Sequence, residues 1–244
     1  MYFIGIDVGS AYTKYCIMEN GNIISLYSEK TPVRQIQYFE NRLREFDAEY
    51  PGAVVVSCGY GKKNVAGINR INELTALAAG AYYVMGKSCV VLDIGGQDTK
   101  AVRQEDGKLR EFFLNDKCAA GSGLFLMNTL SMLDLGFEDI RLDYGVDSVS
   151  LSSTCVVFAQ SEIVELVADN VRDVDIVNAV IRHIFIKAKS LADKIETDVL
   201  IISGGLSQIR GIDEIASSIL GRNCHFVKEG NYLSAIGCCT SIVN

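Results

Sequence analysis

The chain has 244 residues, of which 49% are hydrophobic and 22% charged, and its formal net charge is −7. This composition is typical of a globular protein rather than a disordered one, and a chain of this length buries roughly three quarters of the surface exposed on unfolding. Acidic residues are in excess and there is no basic run, so we expect no nucleic-acid binding and a protein or small-molecule partner instead.

The sequence also predicts where the protein works. No apolar run approaches the roughly 20 residues needed to span a bilayer, and the N-terminus lacks the charged, apolar and small-residue pattern of a secretion signal. We therefore expect a cytoplasmic protein with no membrane partner. The 8 cysteines are then expected to be reduced thiols or metal ligands, because disulfides seldom persist in that compartment.

The first half of the chain predicts three strands, a helix, a strand and a second helix. Asn20-Gly21 is a strong hairpin signal between the second and third strands. Pro51-Gly52 ends the first helix. The strands are expected at 2–8, 12–19, 22–29 and 53–57, and the helices at 34–50 and 72–85.

The same order begins again after Lys87, with Asp106-Gly107 as the second hairpin turn. Strands are expected at 90–92, 99–104, 109–114 and 199–203, and helices at 119–133, 156–169, 174–195, 208–220 and 232–242. The last helix is long enough in sequence to return to the first half. We therefore predict an α/β protein with one subdomain of residues 1–86 plus 231–244 and a second of residues 87–230.

Two segments of nearly the same pattern follow the first strand of each half. Residues 5–14 read GIDVGSAYTK and residues 92–100 read LDIGGQDTK. A carboxylate at a strand end can hold Mg²⁺ through water, glycines let backbone N–H groups approach phosphate oxygens, and each lysine adds positive charge. The matched copies predict a duplicated unit whose halves face one nucleotide phosphate chain.

These two segments supply the candidate catalytic residues. Asp7 and Asp93 are the candidates for Mg²⁺, and both, with Gln97 and Asp98, are candidates for placing the attacking water. Phosphoryl transfer is catalysed mainly by positioning and charge stabilisation, so a sparse set of residues is sufficient. The predicted contacts to the nucleotide in these segments are Gly9, Ser10, Ala11, Lys14, Gly95, Gly96 and Gln97.

Three motifs in this order resemble the ATPase fold of actin, sugar kinases and heat-shock chaperones. Residues 7–10 resemble its first phosphate motif, residues 93–96 its second, and Ile202-Ser203-Gly204-Gly205 its adenosine motif. The resemblance implies two duplicated actin-like (ribonuclease H-like) subdomains with a nucleotide cleft between them. It also implies that Gly204, Gly205 and Ser207 lie at the nucleoside of ATP or ADP.

One branch of that superfamily matches more closely. Segments 93–100, 115–123 (NDKCAAGSG) and 152–162 (SSTCVVFAQSE) resemble signature segments of the activators of 2-hydroxyacyl-CoA dehydratases, a group that includes the ATPase subunits of benzoyl-CoA reductase. The resemblance implies a homodimer that holds one 4Fe-4S cluster and uses ATP hydrolysis to pass single low-potential electrons to an iron–sulfur dehydratase or reductase. A ferredoxin or flavodoxin would be the electron donor.

The cysteine pattern supports this interpretation. Cys118 and Cys155 each precede a predicted helix, where exposed N–H groups and the helix dipole favour a thiolate. A 4Fe-4S cluster usually takes four thiolates, so two per chain suggest a two-fold axis through the cluster. The other six thiols are expected to be mostly buried small hydrophobes, and His183 is expected to be a packed core or interface residue.

Two other function classes remain open. A small-molecule kinase, such as a sugar kinase, would use the same phosphate motifs and direct the terminal phosphoryl group to a hydroxyl, with Asp98 as a possible base. A non-catalytic assembly protein would bind ATP only as a conformational clamp. The iron content of anaerobically prepared protein separates the first interpretation from the kinase, and light scattering with ATP tests the assembly protein.

Overall fold

The structure is a computed structural model that describes residues 1–115, 122–142, 149–153 and 155–241. Contacts between Cα atoms divide the chain into two compact units. Unit 1 comprises Met1–Cys89, Val102–Phe112 and Glu229–Asn244, and unit 2 comprises Val90–Ala101 and Phe113–Lys228. Each unit therefore gathers segments that are distant in sequence.

Strands and helices follow the predicted order closely. The strands are β1 (Tyr2–Val8), β2 (Tyr12–Glu19), β3 (Asn22–Lys30), β4 (Val54–Cys58), β5 (Asn69–Arg70), β6 (Cys89–Ile94), β7 (Thr99–Glu105), β8 (Lys108–Asn115), β9 (Val199–Gly204) and β10 (Asn223–Phe226). The helices are α1 (Gln35–Glu49), α2 (Glu73–Met85), α3 (Gly123–Met132), α4 (Val156–Ala168), α5 (Asp173–Ala192), α6 (Ile212–Leu220) and α7 (Leu233–Thr240).

The two sheets have the same strand arrangement, which confirms the predicted duplication. The first sheet has the order β3-β2-β1-β4-β5 and the second, read in the matching direction, has β8-β7-β6-β9-β10. The first strand of each sheet is central and pairs in parallel with the fourth, β1 with β4 and β6 with β9. Asp7 and Asp93 therefore occupy equivalent positions near the carboxyl ends of the two central strands.

Both hairpin turns form where the sequence predicts them. Asn20 and Gly21 have φ of 49° and 83°, and Asp106 and Gly107 have φ of 50° and 76°. Two consecutive left-handed residues make a type I′ turn, whose twist matches that of the flanking strands. These turns set the register of each hairpin, and hence which residues face each other across it.

Helix α7 completes unit 1, as the predicted return of the chain implies. It packs on α2 and on β1, β2 and β4. The approach is close because glycines lie at the contacts: a Cβ on Gly80 of α2 would lie 1.8 Å from Leu233 O, and one on Gly237 of α7 would lie 1.7 Å from Ala76 O. Larger residues at either position cannot fit at this separation.

Unit 2 has a larger apolar core, to which the central strands β6 and β9 and helices α3 to α6 contribute. Helix α5 buries one side of its length here, including Val177, Val180, Ile181 and Ile184, as the helical spacing of these residues predicts. Of the helices that the structure describes, none combines the length and apolar character needed to cross a membrane.

Several boundaries differ from the prediction. Helix α6 begins at Ile212 rather than at 208, because Gly211 has φ of 81° and residues 205–208 form a separate 3₁₀ turn. Helix α5 ends at Ala192 rather than 195. Helix α3 is described from Gly123, after an extended Ser122, and residues 119–121 lie outside the described residues. The two-residue strand β5 was not predicted, since its pairing with β4 depends on distant contacts.

Candidate functional site

The first phosphate motif of unit 1 is built on the hairpin of β1 and β2. Asp7 faces Lys14 directly in the register of the two strands. The Lys14 Nζ lies 3.2 Å from Asp7 Oδ2, and both side chains are largely buried. The hairpin therefore brings the carboxylate and the ammonium group together, and each holds the other in place.

Thr31, the residue after β3, holds the loop between β1 and β2 in place. The Thr31 hydroxyl donates to the Gly9 carbonyl at 2.8 Å and lies 3.1 Å from the Thr13 hydroxyl. A Cβ at Gly9 would lie 2.6 Å from Tyr12 O, so the turn requires glycine here. Ser10 is exposed and Ala11 partly exposed. The hydrogen bonds of Thr31 thus fix the loop backbone, while the predicted nucleotide contacts Ser10 and Ala11 remain accessible to solvent.

A buried thiol lies next to Asp7. Cys58 ends β4, and its Sγ lies 3.7 Å from Asp7 Oδ1 and 3.8 Å from the carbonyl of Ser234 in the last segment of the chain. Burial raises the pKa of the Cys58 thiol, so it stays protonated and can act as a weak donor. Asp7 Oδ1 therefore has only a weak thiol donor beside it, whereas Asp7 Oδ2 is paired with the ammonium group of Lys14.

The second phosphate motif, in unit 2, has the same construction with one more acidic residue. Lys100 is 4% exposed, and its Nζ lies 3.4 Å from Asp93 Oδ2 and 3.0 Å from Asp98 Oδ1. A lysine as buried as this needs paired carboxylates, because an isolated buried ammonium is strongly unfavourable. Lys100 therefore fixes the positions of both carboxylates.

The predicted adenosine motif contributes to the same carboxylate. Ser203 lies opposite Asp93 in the parallel pair of β9 and β6, and its hydroxyl donates to Asp93 Oδ1 at 2.7 Å. The next residue, Gly204, has φ of 87°, and a Cβ there would lie 2.1 Å from Ile94 O. The close approach of the two strand ends thus depends on glycine at this position.

The glycines of the second motif also connect to helix α3. The first N–H groups of this helix lack intrahelical acceptors. Instead, Gly123 N donates to Gly95 O at 2.8 Å and Leu124 N donates to Gly96 O at 2.9 Å. The phosphate motif and the start of α3 are therefore directly hydrogen-bonded to each other.

The remaining predicted nucleotide contacts differ in accessibility. Gln97 and Gly205 are exposed, and a Cβ at Gly205 would meet no atom within 4 Å. Ser207 is buried, and its hydroxyl donates to Gly204 O at 2.7 Å. Ser207 therefore shapes the turn, whereas Gln97 and Gly205 are accessible for contact with a ligand.

The carboxylates suit a hydrated magnesium ion. Mg²⁺ in nucleotide sites usually keeps several waters and uses one or two carboxylates together with phosphates. Asp7 Oδ1, next to the weakly donating Cys58 thiol, has the capacity to accept from such a water. Among the residues that the structure describes, no cluster of three or more His, Cys, Asp or Glu has the arrangement of a metal site.

Cys155 is placed as the sequence predicts. It is the residue preceding helix α4, has an extended backbone, and is exposed. Its partner in the prediction, Cys118, lies outside the described residues. A thiolate at a helix start is a suitable iron ligand, since the N–H groups and dipole favour negative charge there.

The other cysteines fit the expectation of small hydrophobes. Cys89 is partly buried, and the remaining five are buried: Cys16, Cys58, Cys224, Cys238 and Cys239. His183 is also buried, 4% exposed, and burial is the main cause that lowers its pKa. It lies on α5 with its ring edge-on to Phe125 at 5.8 Å, which confirms the packed core position.

Sequence reasoning missed several residues that hold the site together. The hydroxyl of Ser203 and the thiol of Cys58 reach their carboxylates from strands 110 and 51 residues away in sequence. Thr31 reaches Gly9 from the end of β3. The one local signal was the Asp-x-Lys spacing of Asp98, which immediately precedes β7, and Lys100 on that strand, since alternate residues of extended chain face the same side.

Comparison with known proteins gives a family and individual relatives. The sequence profile of the BadF/BadG/BcrA/BcrD ATPase family matches residues 4–239. The chain is 34% identical over 235 residues to an activator of lactoyl-CoA dehydratase from Anaerotignum propionicum, covering 90% of this chain and 89% of the relative. It is 33% identical over 253 residues to the (R)-2-hydroxyglutaryl-CoA dehydratase activating ATPase of Acidaminococcus fermentans, covering 97% and 95%.

A solved structure agrees with these sequence matches. The activator of the 2-hydroxyisocaproyl-CoA dehydratase from Clostridium difficile, determined with bound ADPNP, superposes with a TM-score of 0.85 at 26% identity. The match covers 99% of this chain and 94% of that one. The fold predicted from the two phosphate motifs is thereby confirmed.

Proposed function

The chain belongs to the BadF/BadG/BcrA/BcrD ATPase family, and from this premise we propose that it is an ATP-hydrolysing activator that passes single low-potential electrons to an iron–sulfur partner enzyme. The observation that carries the proposal is Cys155, the one exposed thiol among the cysteines that the structure describes, at the start of a helix in the unit that contains the Asp93 motif.

ATP use rests on the two Asp-Lys motifs. Asp7 and Asp93 would accept hydrogen bonds from waters on Mg²⁺, which supplies charge stabilisation to the phosphates when bound. Lys14 holds Asp7 in place, and Lys100 with Ser203 holds Asp93. These contacts hold the carboxylates in position before ATP arrives, and such preorganisation is what stabilises charge in phosphoryl transfer.

The N–H groups of the glycine turns would contact phosphate oxygens, and Gly205 would lie against the nucleoside. We assign Gln97 to orienting the attacking water, because it is exposed on the turn of the second motif. A side chain that aligns water without taking a proton is sufficient for hydrolysis of a nucleotide.

Cys118 and Cys155 would hold a 4Fe-4S cluster, which supplies one-electron reduction when bound. Two thiols per chain are half of the usual set, so a second copy of this chain would supply the others. Cys155 is exposed at the start of α4, where a ligand can reach its thiol. The hydrogen bonds from Gly123 and Leu124 to the Gly95-Gly96 turn connect α3, the helix that follows Cys118 in sequence, to the phosphate motif.

The surface next to Cys155 supports a homodimer. Helix α4 exposes four large apolar side chains, and exposed apolar surface of this kind marks a protein interaction site. Phe158 is 65% exposed and lies within one turn of Cys155. The four residues are Val157, Phe158, Val164 and Val167.

We propose that the electron acceptor is an iron–sulfur dehydratase or reductase and that a ferredoxin or flavodoxin is the donor. Relatives in the family are named as activators of 2-hydroxyacyl-CoA dehydratases. We assign the chain to the cytoplasm, where such donors and reduced thiols are available.

A kinase is disfavoured by the environment of Asp98. A general base must be free to accept a proton from the substrate hydroxyl. Asp98 is 5% exposed and paired with Lys100 at 3.0 Å, so its carboxylate is occupied in orienting the lysine. This arrangement makes Asp98 a structural counter-ion rather than a base.

The test is anaerobic reconstitution of the parent protein and of Cys118→Ala and Cys155→Ala, with Cys89→Ala as the matched control. We expect about four iron atoms per dimer in the parent and the control, loss of iron in the other two, and unchanged ADP binding in all four. Full iron content in both Cys118→Ala and Cys155→Ala would contradict the proposal. So would ATP turnover that requires a hydroxyl acceptor.

A further inference from the structure

Glu162 makes an unusual set of hydrogen bonds to the segment before Cys155. Its carboxylate accepts from Ser152 N and from the Ser152 hydroxyl, both at 2.8 Å, and also from the Ser153 hydroxyl. All three donors therefore converge on one side chain of helix α4. The bonds from Ser153 and Ser152 lower the pKa of Glu162, which favours its charged form.

These hydrogen bonds tie Ser152 and Ser153, which lie just before α4, to a residue within that helix. Glu162 lies seven residues after Cys155, which is about two helical turns along the same face. Ser152 and Ser153 are thus bound beside the second turn of the helix. Ala159 and Ile163 are buried in the core of unit 2. The part of α4 that carries Glu162 is therefore held in place by packing.

A second contact secures the other end of the segment. Leu151 is partly buried and packs against the apolar core of unit 2, which includes Phe125 of α3 and Ile163 of α4. The residues before α4 are thus held by apolar packing at Leu151 and by hydrogen bonds to Glu162 at Ser152 and Ser153.

We propose that Glu162 is the positioning residue for the Cys155 thiol: by binding Ser152 and Ser153, it fixes the backbone of Cys155 in the orientation needed to ligate iron. The ligation itself rests on the function proposed above, but the positioning does not. In this proposal Glu162 acts on Cys155 through its bonds to the two serines and is not itself an iron ligand.

One hydrogen bond reports directly on the backbone of Cys155. Ala159 N donates to Cys155 O at 2.9 Å and closes the first turn of α4. If Glu162 holds Cys155 in place, exchange of the Ala159 amide with solvent depends on Glu162. If Glu162 only caps the loop, the Ser152 amide alone is affected. At the other end of the helix, Asp169 N bonded to Glu165 O at 2.9 Å is an internal reference.

The experiment is amide hydrogen exchange of the cluster-free protein, comparing Glu162→Ala and Glu162→Gln with the parent. Glu165→Ala is the matched control, an exposed glutamate one turn further along the same helix. We expect exchange of Ser152 and Ala159 to rise about tenfold in Glu162→Ala, in line with the loss of hydrogen bonds to a charged group. Glu162→Gln keeps one acceptor oxygen and should lie in between, and Asp169 should not change.

A second measurement follows iron in the reconstituted protein. Glu162→Ala should release iron to a chelator about tenfold faster than the parent, since a loosened ligand dissociates more readily, and Glu165→Ala should match the parent. Unchanged exchange at Ala159 in both Glu162 variants overturns the positioning role, even if the melting temperature falls. Full retention of iron by Cys155→Ala refutes the iron ligation but leaves the exchange result standing, so the two failures are distinguishable.

Discussion

Substituting Gly237 by alanine tests whether the close contact of α7 with α2 is a requirement of unit 1. The new Cβ would lie 1.7 Å from Ala76 O and 2.5 Å from Ala76 C. Both are backbone atoms, so no rotation of a side chain relieves the clash. The carbon–oxygen separation has to rise to at least 3.0 Å, which means that α7 moves away from α2.

Two effects of opposite sign determine the result. Alanine is favoured over glycine inside a helix by about 1 kcal/mol. Overpacking costs about 1–3 kcal/mol, and the upper end applies because the contact is with backbone. A gap of 0.5–1 Å also loses roughly a quarter to a half of the dispersion energy of each facing contact. The net destabilisation is about 2 kcal/mol, which lowers the melting temperature of a chain of this size by about 4–8 °C.

The assay is thermal unfolding followed by circular dichroism at one heating rate. Gly80→Ala, whose Cβ would lie 1.8 Å from Leu233 O, should lower the melting temperature by a similar amount. Thr75→Ala is the control, because Thr75 is exposed on α2 and alanine there raises helix propensity without a clash. A melting temperature of Gly237→Ala equal to or above that of the parent would refute the reasoning, since helix propensity would then outweigh the clash.

Three further predictions concern the site and the first sheet. Ser203→Ala removes the hydroxyl bonded to Asp93 Oδ1 and should weaken Mg²⁺-ADP binding about tenfold by calorimetry; unchanged affinity would show that the hydroxyl is dispensable. Gly205→Ala faces open space, so we expect an unchanged melting temperature together with weaker ADP binding, and equal affinity would remove Gly205 from the nucleoside site. Burial raises the pKa of Tyr27 to about 12 from an ordinary value near 10. The stability that the buried, protonated hydroxyl contributes is present below the pKa of the unfolded state and is lost as pH rises through the pKa of the folded state. Unfolding free energy should therefore fall between these pH values, and Tyr27→Phe should reduce that dependence, whereas an identical pH profile would contradict the assignment.

The parts of the fold that could be predicted depend on local chemistry. Asn20-Gly21 and Asp106-Gly107 identify two hairpins because these residues adopt left-handed backbone at low cost. Once a hairpin is fixed, its register follows, which places Lys14 opposite Asp7. The duplication was visible because it repeats the same local pattern in both halves.

The parts that could not be predicted depend on contacts between distant segments. Whether a serine on β9 faces Asp93 is set by the register of two parallel strands joined through a long crossover, and a shift of one residue would turn it to the opposite side. The start of α6 depends on the conformation of Gly211, and glycine adopts positive and negative φ with similar ease. The three donors on Glu162 likewise arise only after the chain turns back along α4.

The position of α7 has a consequence for how the protein is made. The residues it covers, such as Phe3, Cys16 and Met18, are translated before α7, which follows them by more than 200 residues. At about 5–20 residues per second, the nascent first sheet keeps an uncovered apolar face for at least ten seconds. We therefore expect chaperones to bind this face while the chain is being made, and unit 1 to complete its folding only after α7 has been translated.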